Sequence, residues 1–176
     1  MKLTVIAAAL SLAAFSANAD DRLVRFDGGI GVIPVSSGQG TAATATVVNR
    51  NLVRGVQPPG QIWVISSLKA DVRTDGSIRV DGRGLLLGGG NAIGTNANQS
   101  VRATLICDTA IVAPATTPPL FDSGLVALEP DGDFRIDDVL TPAPPAECAS
   151  PVLLIRNGGG AWFAAGIVKS SGHERE

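Results

Sequence analysis

The sequence predicts an all-β fold: an antiparallel β-sandwich, taken here as an immunoglobulin-like Greek key, with one disulfide. Three observations carry this expectation. Short apolar runs, several with alternating polar residues, recur along the chain between turn-forming clusters. The 176 residues include 21 Gly and 11 Pro, both poor inside helices. Two cysteines, Cys107 and Cys148, follow a leader that reads as an export signal, and an even count in an oxidising compartment reads as one bridge. About nine strands without a convincing helix fit a sandwich, with a β-barrel as the alternative closure. The Cys…Trp…Cys order of antibody domains is absent, because Trp63 precedes both cysteines and Trp162 follows them.

Residues 1–19 form the expected leader. Lys2 supplies the positive end, Leu3 through Phe15 is apolar and Ala-rich, and Ala17-Asn18-Ala19 has the small-x-small form of a cleavage site. The run is short for a bilayer span, and no other segment approaches eighteen uninterrupted apolar residues, so no integral membrane association is expected. Residues 20–169 read as one domain and 170–176 as a frayed polar tail. The destination is periplasmic or secreted.

The elements follow in order. Leu23 to Phe26 is a strand ended by Asp27-Gly28-Gly29. Ile30 to Val35 carries Pro34, which makes it an edge strand or extended arm. Ser36 to Gly40 reads as a flexible turn, and Thr44 to Val48 as a β-branched strand. Leu52 to Val56 continues that strand or starts another, and Gln57 to Gly60 breaks the chain. From Ile62 to Arg73 the apolar residues Ile62, Val64, Leu68, Ala70 and Val72 fall at even positions, so they share one face. Thr74-Asp75-Gly76-Ser77 is a hairpin turn, since Asp and Gly tolerate positive φ. Ile78 and Val80 then point inward, and Gly82 and Gly84 loosen the strand before Leu85 to Leu87.

Gly88 to Gln99 is a loop around Ile93. Ser100 to Asp108 alternates again, with Val101, Ala103, Leu105 and Cys107 on the inner face. Pro114 to Pro119 is a second breaker. Leu125 to Leu128 and Phe134 to Ile136 flank a second hairpin at Pro130 to Asp133. Val152 to Ile155 and Trp162 to Val168 are apolar on both faces and belong at the centre of a sheet. Residues 72–81 and 128–137 share Asp-Gly, Arg and Asp at matching positions, which common hairpin chemistry explains without duplication.

The inventory narrows the chemistry. The formal net charge is −2 with no basic block, so nucleic acid has no electrostatic support as a partner. The single His, His173, lies in the tail, which disfavours imidazole catalysis and His-based metal sites. No cofactor is expected. Glu129, Asp131, Asp133, Asp137 and Asp138 cluster around one hairpin, where carboxylates could serve acid/base chemistry or Ca²⁺. Their spacing does not match a calcium loop, and turn and surface roles account for them.

The Gly88–Gln99 loop lacks the Lys-Ser/Thr of a phosphate loop. Its exposed-reading residues Gly90, Asn91, Asn96 and Asn98 are candidates for contact with a partner, protein or small molecule. Trp63 and Trp162 read as core rather than sugar platforms. Arg50, Arg54, Arg79, Arg83 and Arg102 could form an anionic-ligand face, but Asp71, Asp75 and Asp81 lie among them. The leading expectation is therefore an exported, non-enzymatic binding or structural module. The alternatives are a carboxylate-based hydrolase or calcium-dependent module at Glu129–Asp138, and a secreted inhibitor presenting the Gly88–Gln99 loop.

Overall fold

The structure, a computed structural model, describes residues 21–39, 47–108 and 118–169. The leader, residues 40–46, most of the Pro114–Pro119 breaker and the tail with His173 lie outside the described residues.

The strands are β1 (Arg22–Gly31), β2 (Val35–Gln39), β3 (Val47–Arg50), β4 (Trp63–Val64), β5 (Ser67–Arg73), β6 (Ser77–Arg83) and β7 (Leu86–Leu87). They continue as β8 (Ser100–Ile106), β9 (Phe121–Asp122), β10 (Val126–Ala127), β11 (Phe134–Val139), β12 (Val152–Asn157) and β13 (Trp162–Val168). Among the described residues every pairing between them is antiparallel.

One sheet runs β10-β8-β12-β13-β1-β5-β6-β11, with β9 beside β8. Its two end strands, β10 and β11, are consecutive in the chain, so the short connection between them forces the sheet to curl. A second link closes the curl: Asp122 on β9 exchanges backbone hydrogen bonds of 3.0 and 2.8 Å with Thr141, just beyond β11. Two small ladders, β2-β3 and β4-β7, lie off this sheet.

The core follows the alternation. Phe26, Leu68, Ala70, Val72, Ile78 and Val80 are buried on β1, β5 and β6. Leu153, Leu154 and Ile155 are all fully buried, so β12 is covered on both faces, as its apolar run predicts. Its neighbours are β8 and β13, which places the final hairpin centrally. Trp63 and Trp162 are core residues, and Trp63 stacks on Phe163 with centroids 4.0 Å apart. Cys107 and Cys148 form the expected disulfide across 4.9 Å between Cα atoms.

Several expectations are corrected. The Asp27-Gly28-Gly29 break is a β-bulge: β1 runs through it while its register against β13 shifts between Phe26 and Gly29. Ser36–Gln39 belongs to a strand paired with β3, not to a flexible turn. The even phase of Ile62–Arg73 holds only from Leu68 onward. Trp63 is buried and Val64 is 48% exposed, because β4 leaves the main sheet to pair with β7. Leu52 to Val56 is a tight turn closed by Val53 and Val56. The outer face of β8 is also covered, with Thr104 and Ile106 fully buried. The turn at 130–133 forms, but its flanking strands do not pair as a hairpin: β10 pairs with β8 and β11 with β6.

Candidate functional site

The two regions singled out in the sequence meet in space. The Asn96 side chain donates from Nδ2 to the carbonyl of Leu128 at 3.1 Å and that of Glu129 at 3.0 Å. Its Oδ1 accepts the N–H of Asn98 at 3.0 Å, and Leu128 N–H donates to the Gln99 carbonyl. One Asn thus fastens the Gly88–Gln99 loop to the start of the acidic turn.

The loop is closed internally as well. Leu87 and Thr95 are joined by a 2.9 Å backbone bond, and Gly94 N–H returns to Leu87 at 2.8 Å. Thr95 Oγ1 donates to the Ala92 carbonyl at 2.8 Å. Ile93, within it, is 64% exposed. Gly90, Asn91 and Asn98 are exposed beside it, and Asn96 is half-buried in its structural bonds. Ala97 and Asn98 both have φ near +50°, a conformation that such a compact loop imposes.

The five carboxylic residues do not act together. Asp131 Oδ1 accepts the N–H of Asp133, and Asp133 Oδ1 accepts that of Gly84 at 3.0 Å. Asp137 pairs with Arg79 on the neighbouring strand. Asp138 accepts the Gly124 N–H at 2.6 Å and its own neighbour Val139 at 2.8 Å, and those bonds, that from Gly124 first, hold its carboxyl below the usual range. Glu129 borders a shallow cleft of about 470 Å³ with Asp81, Asp133, Arg83 and Arg135. Asp81 is already engaged by both arginines, with the hydrogen bond from Arg135 the main cause of its lowered carboxyl pKa. Among the described residues no three His, Cys, Asp or Glu side chains come together as a metal-holding group.

The arginines disperse. Arg50 donates to the Pro58 carbonyl, Arg79 meets Asp137, Arg83 meets Asp81, Arg54 meets Asp108, and Arg102 meets Asp122. The cluster that the sequence reading missed centres on Arg156. Its Nη1 contacts Asp122 Oδ1 at 3.2 Å and Thr104 Oγ1 at 3.3 Å, while its Nε donates to the Gly160 carbonyl at 2.9 Å. A charged residue ending the apolar run Val152–Ile155 was the available signal.

Comparison of the chain with protein-family models, curated proteins and solved structures finds no match in any of the three. The fold is an antiparallel all-β fold with a curled sheet and one disulfide. Among the described residues no helix is long and apolar enough to cross a membrane.

Proposed function

We propose that this is an exported, non-enzymatic β-protein that works by binding, with the Gly88–Gln99 loop presented to a protein partner. The observation that carries this reading is Ile93: a large apolar side chain left 64% exposed in a loop braced by its own backbone and by Asn96. A preordered loop loses little entropy on binding, and a protruding apolar anchor is what a partner's pocket takes up. Export and cleavage after Ala19 belong to the same proposal, supported by the disulfide and the leader. On the finer architecture, the Asp122–Thr141 link between the sheet's two ends favours the barrel alternative over a Greek-key sandwich.

Two measurements test this. Mass spectrometry of the exported protein should find Asp20 at its N-terminus. Limited proteolysis of the free protein should leave 88–99 intact, and Ile93→Asp should abolish capture of a partner that wild type retains while leaving the melting temperature unchanged. Rapid nicking within 88–99 would sink the presented-loop reading. Turnover or calcium binding lost in Asp131→Asn/Asp133→Asn would favour the carboxylate alternative instead.

A further inference from the structure

We propose a second binding site, between the Val53–Val56 and Asn157–Gly160 turns, for a small organic carboxylate with an apolar body. It goes beyond the presented-loop reading and shares no residue with that loop, so either can fail alone.

The site is a cleft of about 520 Å³, a size that suits a small ligand. Two tight turns form its walls. One is Val53-Arg54-Gly55-Val56, closed by reciprocal bonds of 3.1 and 2.8 Å between Val53 and Val56. The other is Asn157–Gly160, whose Gly160 N–H donates to the Asn157 carbonyl at 3.0 Å. Trp162 ties the walls together, its backbone N–H donating to Gln57 and its indole N–H to Asn51, both at 3.0 Å. Val56, Pro118, Pro119, Leu120 and Ala161 supply apolar lining.

Arg54 and Arg156 both line this cleft. Arg156 is only 12% exposed and is fixed through Nε and Nη1 to Gly160, Thr104 and Asp122, with its Nη2 edge beside Gly160 at the cleft wall. Asp122 is shared: Arg102 reaches its other oxygen at 3.6 Å, and Arg102 Nε is buried without a hydrogen-bond partner. Arg54 pairs with Asp108. Arg102 and Arg156 thus share the single carboxylate of Asp122, so among the described residues the side of the cleft that holds Arg156 has two half-buried guanidiniums on one carboxylate. That is the electrostatic complement of a monoanion, and guanidinium suits a carboxylate's two oxygens.

The Arg54 backbone adds an independent indication. Its φ is +50°, followed by Gly55 at +83°, the pair of positive angles that a two-residue hairpin turn requires. Asn, Asp or Gly meets that demand with less strain than Arg. A strained arginine at the mouth of a cleft is a local cost that a ligand-binding role explains.

The test uses phenylacetate and its neutral isostere phenylacetamide, followed by calorimetry and by tryptophan fluorescence, since Trp162 is bonded to the lining residue Gln57. Phenylacetate should bind, with an affinity that falls as salt rises, and phenylacetamide should bind at least tenfold more weakly. Arg54→Gly relieves the backbone strain, so it should keep a wild-type melting temperature yet weaken phenylacetate at least tenfold. Gly159→Asp is the second variant. A Cβ there meets nothing nearer than 3.5 Å, so the fold should accept it, while the added carboxylate repels the ligand. Absence of phenylacetate binding, equal binding of the amide, or undiminished binding by both variants would overturn the proposal. Equal binding of inorganic phosphate would overturn its apolar half.

Discussion

Arg135 stands directly opposite Asp81 across the β6–β11 ladder, and its Nη2 donates to Asp81 Oδ2 at 3.0 Å. Two residues along, the same ladder sets Asp137 opposite Arg79, whose Nε donates to it at 3.2 Å. The Arg-x-Asp tripeptides 79–81 and 135–137, matched in the weak internal repeat, are thus antiparallel partners. Antiparallel pairing of two copies of one such tripeptide places each Arg against the other's Asp.

The reciprocal pairs are exposed, so each contributes little by itself. A double-mutant cycle on Arg135→Ala and Asp81→Ala, read by urea unfolding, should give a coupling of about 0.2–1 kcal/mol. Asp81→Arg should cost more than Asp81→Ala, because it faces Arg83 and Arg135 together. A charge-reversed protein as stable as the alanine variant would show the ladder indifferent to these charges.

The disulfide joins positions 41 residues apart in sequence. By the chain-entropy argument its removal should cost about 4 kcal/mol. Cys107→Ala/Cys148→Ala should unfold at markedly lower denaturant concentration than the oxidised protein. Adding reductant should bring the wild type toward the variant and leave the variant unmoved.

Gly82 stands opposite Phe134 on the β6–β11 ladder. A Cβ at this position would lie 2.2 Å from the Phe134 ring, which is buried against the strand. Gly82→Ala should therefore destabilise by about 1–3 kcal/mol through overpacking. In a Phe134→Leu background the same change should cost clearly less, because the clashing ring edge is gone. Thermal melts of the four proteins measure this.

Acid should unfold the protein from the carboxylate side. The Gly124 and Val139 N–H groups hold Asp138 below its usual pKa, and hydrogen bonds from Arg135 and Arg83 do the same for Asp81. A depressed folded-state value contributes stability above the unfolded value, about 3.9 for Asp, and that contribution is lost as pH falls through the folded value. Stability should stay level from neutral pH to about pH 5 and decline below about pH 4. Asp138→Asn should be less stable than wild type at pH 7, with the difference shrinking toward pH 3. A constant difference across that range would assign Asp138 no part in the acid response.

Much of the strand pattern is legible locally. Ser77–Arg83 alternates because each side chain faces opposite its neighbour, and Asp75-Gly76 turns the chain where Gly76 takes φ +85°. The bulge at Gly28 was not legible, since a bulge and a break use the same residues. Nor was the phase change between Val64 and Leu68, which arises because β4 pairs with β7 and β5 with β1. The acidic cluster near Glu129 is compact in sequence, yet its carboxylates diverge: Asp131 and Asp133 are taken up by backbone N–H groups of the turn and of Gly84, and Asp137 and Asp138, adjacent on β11, face opposite ways. Arg156 lies far in sequence from Arg54 and Asp122, so nothing local announced their meeting.

Sequence alone determined the β class, the strand faces from Leu68 to Asp81, the tight Asp-Gly turns and the pairing of two cysteines. These depend on period, backbone preference and count, all of which are properties of neighbouring residues. The tertiary structure decided which strands are partners, how the sheet's ends meet at Asp122 and Thr141, that Asn96 fastens loop to turn, and that Arg102 and Arg156 share Asp122. Ladder partners are chosen by burial summed over the whole chain, and no short window of sequence contains that sum.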